Sequence, residues 1–320
     1  MTLYIHREKR VLTGWRVPLV IAAAMLLVVF AWNFGYAAKA SVKKFSTPGE
    51  AFTAMVNALK TGSDKELAAI FGPGSKELFP ILEGTEGETC GHFLQAYDEK
   101  KRVEMMGDRK AVLHVGKEDW PWPIPVVKKG QLWQFDTEEG KKEILARRIG
   151  RNETSAVQVS LAYVDAQHEY ARDHSTGKGL GEYAQKFASD EGKKNGLCWE
   201  VKEGEKQSPL GPEIANACMI GYSASKPNEY PKPYHGYFYK ILTKQGPNAQ
   251  GGAYDYVVDG KMVGGFALVA YPASYGSTGI MTFIVNQDGV VYQKDLGKDT
   301  VKLAEAMTSF DPDKTWTKVD

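Results

Sequence analysis

The spacing of hydrophobic residues first separates the N-terminus from the rest of the chain. Residues 1–16 are rich in basic side chains, and residues 17–38 carry no charge. Because lipid cannot hydrogen-bond backbone groups, such an apolar run enters a membrane only as a helix. Ala38 and Ala40 fit the small-residue positions of a signal peptidase site.

Residues 1–40 are therefore predicted to be a signal peptide cleaved after Ala40, or an uncleaved membrane anchor. The uncharged run is long enough to span a bilayer, so both alternatives stay open. In either case the basic end stays in the cytoplasm and the body crosses the membrane. We expect a periplasmic or secreted protein, or one anchored in the inner membrane with its body outside the cytoplasm. If the leader is uncleaved, it is the only part of the protein that contacts the membrane.

Apolar residues at three- and four-residue spacing predict helices after residue 45. Thr47 and Glu50 flank Pro48 as a capping box, which places the start of the first helix. The same spacing predicts a second helix that ends before Gly72 and a third over residues 90–101.

Beyond residue 101 the hydrophobic spacing changes from helical to alternating. Three strands are predicted, at residues 111–115, 124–128 and 132–135. The prolines of residues 120–125 indicate an edge strand or a bent entry to one. Helices followed by a curled antiparallel sheet predict an α+β domain over residues 45–148. The pattern resembles the cone-like folds of the nuclear-transport-factor-two, cystatin and SnoaL type, in which a helix packs in a curved sheet.

A second domain is predicted over residues 149–316. It begins with a long helix that opens at residues 151–154 and ends near residues 173–177, and a short helix is expected at residues 183–187. Strands are predicted at residues 234–242, 264–271, 279–285 and 290–294, and a closing helix at residues 299–307. Asn286-Gln287-Asp288-Gly289 separates the last two strands and is a strong hairpin signal.

Two motifs of this second domain resemble the globular domain of type IV pilins and pseudopilins. Residues 151–156 and the helix after them resemble the pilin helix, and residues 265–272 and 288–292 resemble its sheet and hairpin. The resemblance implies a helix packed on an antiparallel sheet. A pilin polymerises through an apolar helix half joined directly to this helix, whereas here basic residues precede it. We therefore expect a pilin-like domain that does not assemble into filaments by the usual route.

Residues 45–316 as a whole are similar to an uncharacterised family of secreted bacterial proteins, catalogued as domain of unknown function 2950. The resemblance implies no activity and no cofactor. Charge supports no nucleic-acid role, because Lys plus Arg is 40 and Asp plus Glu is 39. Nucleic-acid binding needs a concentrated basic face.

Candidate acid–base residues are few. Cone-like folds often hold a pocket, and catalysis there needs a histidine or carboxylate inside it. His114, in an alternating strand, and Asp136, at a strand end, are the weak candidates. Both have simpler interpretations, His114 as a hydrogen-bonded structural residue and Asp136 as a helix cap.

Metal ligands are also weakly indicated. In similar proteins the loop after the long helix resembles a calcium loop, and this chain keeps Asp173 and Glu182 but lacks the acids between them. Asp165, His168 and Glu169 share a helix face without the spacing of a zinc motif. We expect no metal and no cofactor.

Aromatic residues offer the last candidates. Trp120 and Trp122, beside prolines, are the candidates for a contact surface. Of the three cysteines, Cys198 and Cys218 could pair in an oxidising compartment, or remain reduced.

The sequence therefore predicts an exported cell-envelope protein that acts as a non-catalytic binding module. Its partner would be another envelope protein or a polysaccharide. Two alternatives are an enzyme that uses a pocket in the first domain and a pilus or secretion-system accessory protein.

Overall fold

A computed structural model describes residues 42–72, 75, 78, 90–175, 181–199, 201, 204, 206–210 and 232–319. The leader with its Ala40 site, and Cys218 with its proposed bond to Cys198, lie outside these residues. No helix within the described ranges is long and apolar enough to cross a membrane. The chain divides into two compact units, Met1–Thr137 and Glu138–Asp320. Both mix helices with sheets that are mainly antiparallel, which confirms the α+β class.

The described part of the first unit places three helices before a sheet of five strands. The elements are α1 (Pro48–Thr61), α2 (Asp64–Phe71), α3 (Cys90–Glu99), β1 (Lys101–Met106), β2 (Lys110–Val115), β3 (Trp120–Pro121), β4 (Val126–Lys129) and β5 (Leu132–Phe135). The sheet runs in the order β1–β2–β4–β5, with β3 paired to β2. All its pairs are antiparallel.

The capping box at the start of α1 is confirmed. The Glu50 amide donates to the Thr47 hydroxyl at 3.2 Å, and the Ser46 amide donates to the Glu50 carboxylate at 3.0 Å. The helix ends at Thr61 and is followed by Gly62, whose φ of 61° belongs to the left-handed region that glycine adopts readily. Its apolar face packs on the sheet, where the Phe52 and Phe135 rings meet edge to face with centroids 5.6 Å apart.

Strand β1 is an element that the hydrophobic pattern did not predict. It pairs with β2 along its whole length, from Lys101 opposite Val115 to Met106 opposite Lys110. None of its six side chains is buried. A strand exposed on both faces has no buried face to impose alternation, so its sequence carries no period-two signal.

The second unit packs one long helix on a sheet of five strands. The described elements are α4 (Thr137–Asp173, whose first residue belongs to the first unit), β6 (Tyr237–Leu242), β7 (Lys244–Gln245), β8 (Tyr254–Asp255), β9 (Val257–Val258), β10 (Lys261–Met262), β11 (Ala267–Pro272), β12 (Met281–Asn286), β13 (Tyr292–Asp295), α5 (Thr300–Ala306), β14 (Ser309–Phe310) and β15 (Thr317–Lys318). The large sheet has the order β15–β13–β12–β11–β6, all antiparallel. The predicted hairpin turn is confirmed, because the Gly289 amide donates to the Asn286 carbonyl at 3.0 Å.

Two predictions for this unit are wrong. The long helix does not open at residues 151–154 as expected, because α4 begins at Thr137 and is one helix of 37 residues. Gly150 costs such a helix only about 1 kcal/mol relative to alanine, and the Glu143–Arg147 pair supports the preceding turn at 2.8 Å. The short helix expected at residues 183–187 is instead irregular chain, whose Tyr183 pairs with Met262 as an isolated bridge.

A buried amide explains why residues 183–187 are not helical. The Gln167 side chain on α4 is fully buried. Its amide nitrogen donates to the Ala184 carbonyl at 2.8 Å, and its oxygen accepts the Ala184 amide at 2.8 Å. The same nitrogen donates to the Tyr163 hydroxyl, which donates to the Ala267 carbonyl. This tertiary contact holds Ala184 as a neighbouring strand would, and it overrides the local helical pattern.

Two polar side chains near the middle of α4 bind the chain at the start of β12. Glu153 accepts the amides of Ile280 and Met281 at 2.9 and 3.0 Å with one carboxylate oxygen. The Asn152 amide donates to the Thr278 carbonyl at 2.8 Å. Hydrogen bonds to a charged group are about twice as strong as neutral ones, so these contacts fix the register of α4 on the sheet.

We expect Glu153→Ala to lower the free energy of unfolding by about 2–3 kcal/mol, because two backbone amides lose a charged acceptor. Urea unfolding followed by circular dichroism measures the change. Glu143→Ala is the matched control on the same helix, where losing an exposed ion pair costs about 0.5 kcal/mol. Equal losses for the two variants would contradict the anchoring role of Glu153.

Candidate functional site

The His114 imidazole lies on β2, directly opposite Arg102 of β1. Its Nε2 is 2.9 Å from the Glu104 carboxylate, and its Nδ1 is 2.9 Å from the backbone carbonyl of Asp119. The side chain is only 15% exposed. Both ring nitrogens therefore face acceptors supplied by the chain itself.

Arg102 holds the two acids that flank this histidine. Its guanidinium donates to the Glu104 carboxylate at 3.1 Å and also to the Asp119 carboxylate. Lys100 approaches Asp119 from the other side, at 3.5 Å. The hydrogen bond from Arg102 is the main reason that the pKa of the Asp119 carboxyl lies below its usual range. The same bond raises the pKa of Arg102.

This arrangement leaves the His114 ring without a nitrogen for a substrate. A general base must reach the proton that it removes, whereas Glu104 and Asp119 already take up both ring nitrogens. Asp136, the other candidate, follows β5, and β4 separates that strand from β2 in the sheet. Its amide donates to the Pro125 carbonyl at 2.9 Å. The candidate acid–base residues thus belong to different parts of the first unit.

The two candidate tryptophans differ in exposure. Trp122 is only 5% exposed, and its ring centroid is 4.5 Å from that of Phe93 on α3. Trp120 is half-buried and meets Trp122 edge to face at 6.2 Å. Of the pair, only Trp120 offers surface to a partner.

The candidate metal ligands of the second unit are bound to lysines. Lys206 lies 2.6 Å from the Asp173 carboxylate and 3.3 Å from that of Glu169, and Lys261 lies 3.6 Å from that of Glu182. The hydrogen bond from Lys206 lowers the pKa of Asp173. Across the described ranges, no three histidine, cysteine or acidic side chains form a group that could hold a metal ion.

The histidines at this end of α4, His168 and His174, also have partners within the chain. The His168 ring packs edge-on against Phe266 at 5.3 Å, and its Nε2 lies 3.3 Å from the Gln287 carbonyl. His174 stacks on Tyr170 with centroids 3.8 Å apart. Burial, followed by the charge of Glu182, raises the pKa of Tyr170. These contacts are those of a packed helix face.

The outer edge of β1 is a candidate interface that the sequence did not indicate. Val103, Met105 and Met106 are 39%, 49% and 55% exposed. The Gly116 amide donates to the Lys100 carbonyl at 2.9 Å, so even-numbered residues of β1 direct their backbone groups towards β2. The backbone amides and carbonyls of Val103 and its odd-numbered neighbours therefore point away from the sheet.

Comparison with known proteins gives one family. The family described as "Protein of unknown function (DUF2950)" matches residues 42–319. No curated protein and no solved structure gives a significant match.

The charge cluster yields a prediction for the Asp119 carboxyl. Its depressed pKa means that its ion pair stabilises the fold above the unfolded-state pKa and is lost as the pH falls through the folded-state value. In Arg102→Leu, we expect the pKa of Asp119 to rise towards 3.8, as a carboxyl NMR titration would measure. Arg147→Leu, which removes a cation from Glu143, is the control and should leave Asp119 unchanged. An unchanged Asp119 pKa in Arg102→Leu would contradict this account of the cluster.

Proposed function

Because the chain belongs to the DUF2950 family, whose description assigns no activity, we propose its function from its own residues. The protein is an exported component of the bacterial cell envelope, and it acts by binding a protein partner. Catalysis is not its role.

The observation that carries this proposal is the open edge of β1 beside a histidine whose two nitrogens are already occupied. An exposed strand edge presents unpaired amides and carbonyls, which proteins normally cover or protect with charge. This edge carries charged residues, but it also exposes Val103 and Met105 among them. Retaining such an edge is consistent with use as a binding surface.

The same edge favours a polypeptide over a polysaccharide as the partner. An extended peptide can add a strand to a sheet through main-chain hydrogen bonds, and its side chains then supply specificity. Sugars are usually bound by stacking on exposed aromatic rings, and Trp122 of the candidate pair is buried. A protein strand therefore matches the available chemistry better.

We propose a cone-like first unit and a pilin-like second unit, and the pilin-like resemblance fits an envelope setting. In the first unit α1 packs on the sheet through Phe52 and Phe135, as in a cone-like domain. In the second unit Tyr163 of α4 packs against Phe266 beside the antiparallel sheet, as the helix of a pilin-like domain does. An accessory role beside pilins or a secretion system would use the same binding property.

Export is inferred from the leader sequence, and it predicts a mature protein of defined mass. Expressed with its leader in a bacterial host, the protein should give an intact mass that corresponds to Ser41–Asp320 in the soluble envelope fraction. A full-length mass in the membrane fraction would make residues 17–38 a retained anchor, with the body still exported. A full-length protein in the soluble cytoplasm would contradict export.

Binding through β1 is tested by a photo-crosslinking residue at position 105. We expect irradiation of intact cells to join Met105→photo-crosslinker variants to a defined protein, identified by mass spectrometry. The matched control carries the same residue in place of Leu161, which is 41% exposed on α4. Equal adducts from both positions, or none from position 105, would contradict this binding surface.

A further inference from the structure

We propose that the outer edge of β1 pairs with the same edge of a second copy of this chain, antiparallel and centred on Val103. The inference rests on the proposed function, since it names the occupant of that binding edge. The product is a twofold-symmetric dimer in which two sheets of the first unit become continuous.

The backbone of β1 has groups available for such pairing on the side that faces away from β2. Among the residues that the structure describes, β2 is the only strand paired with β1. The bond from the Gly116 amide to the Lys100 carbonyl assigns the even positions to β2, and the bond from the Trp122 amide to the Leu113 carbonyl agrees with that assignment. The amides and carbonyls of Lys101, Val103 and Met105 therefore face outward, where an added strand would bind them.

Twofold symmetry restricts the possible registers. Two antiparallel copies of one strand are related by an axis perpendicular to the sheet, which keeps every side chain on its own face. Directly opposite residues must share a face. The axis must therefore pass through a pair formed by one residue and its own copy. The residue that lies on the twofold axis therefore fixes the register of the two strands.

Centring on Val103 places complementary groups opposite one another. Arg102 then faces the partner's Glu104, and Glu104 faces the partner's Arg102, so two opposite-charge pairs form. Lys101 faces the partner's Met105, and the two copies of Val103 face each other. Val103 becomes a hydrogen-bonded pair, while the charged residues fall at non-hydrogen-bonded positions, where side chains lie closest, with Cα atoms about 4.5 Å apart.

The other registers are disfavoured, either because like charges would lie opposite each other or because the pairing would run past the ends of β1. Centring on Arg102 or on Glu104 places that residue opposite its own copy, and like charges directly opposite destabilise a sheet. If the axis passed through Met105, residues of the turn at 107–109 would have to pair as a strand. If it passed through Lys101, residues at the end of α3 would have to do so. Only the register centred on Val103 pairs opposite charges within the strand.

The expected dimer is weak. A strand of six residues buries less than the roughly 1,000 Å² that a stable protein interface needs. Association should therefore depend on protein concentration. In sedimentation equilibrium of the exported protein, we expect the average mass to rise from one chain towards two as the concentration increases.

Two charge reversals test the register. In a homodimer of Arg102→Glu, two acidic residues would face each other at positions 102 and 104. In a homodimer of Glu104→Arg, two basic residues would do so. Each variant alone should therefore remain a monomer. In an equal mixture every cross-strand pair becomes acid against base, and a heterodimer should form at least as readily as the wild-type dimer. Circular dichroism and urea unfolding confirm that each variant is folded.

A backbone substitution avoids changing any charge. Val103→Pro removes an outward amide that donates to no strand of the described fold, and proline is tolerated on sheet edges. The variant should fold and should lose at least ten-fold in association. Val103→Thr keeps the amide and is the control that should still associate.

Several results would overturn self-pairing: a wild-type mass of one chain at every concentration, a Val103→Pro variant that associates as wild type does, or a charge-reversed mixture that stays monomeric. If crosslinks from position 105 still reached a different protein, the binding edge would stand and only its assigned occupant would be wrong. Crosslinks from position 105 to neither protein would remove the binding edge as well.

Discussion

Backbone amides and carbonyls need hydrogen-bond partners once they leave water, and this requirement organises both units. In the second unit it is met by side chains of α4 where the sheet supplies no strand. Glu153 accepts two amides at the start of β12, and Gln167 binds both backbone groups of Ala184. At the outer side of β1, the described residues supply no such partner. Because β1 is exposed, water can bind these groups in a single chain, and in the proposed dimer a second copy would take its place.

Arg102 and Glu104 make contacts within the chain and also lie along that edge. Inside the chain, Arg102 holds Glu104 and Asp119, and these two acids hold the His114 ring. At the edge, the same Arg102 and Glu104 lie two residues apart, with Val103 between them. This spacing gives β1 a self-complementary charge pattern for an antiparallel copy. The charged residues around His114, the weak acid–base candidate, therefore include the residues that we propose to pair across the dimer.

Much of the fold could be predicted because local signals agree with it. Thr47, Pro48 and Glu50 mark the start of α1, and the alternation of β5 gives its bounds. The hairpin before β13 follows from its turn residues. In contrast, β1 has no alternation because both faces are exposed, and the irregular chain near Ala184 depends on Gln167, seventeen residues earlier. The partners of His114 could not be predicted, since Asp119 reaches it only through a left-handed turn with φ of 56°.

The most direct test of the open edge is amide hydrogen exchange, resolved by residue and measured at low and high protein concentration. The amides of Arg102 and Glu104 should be protected at both concentrations because they face β2. Those of Val103 and Met105 should exchange rapidly when dilute and become protected when concentrated. Protection of Val103 and Met105 in dilute protein, equal to that of their neighbours, would mean that the chain already covers this edge and would contradict the account.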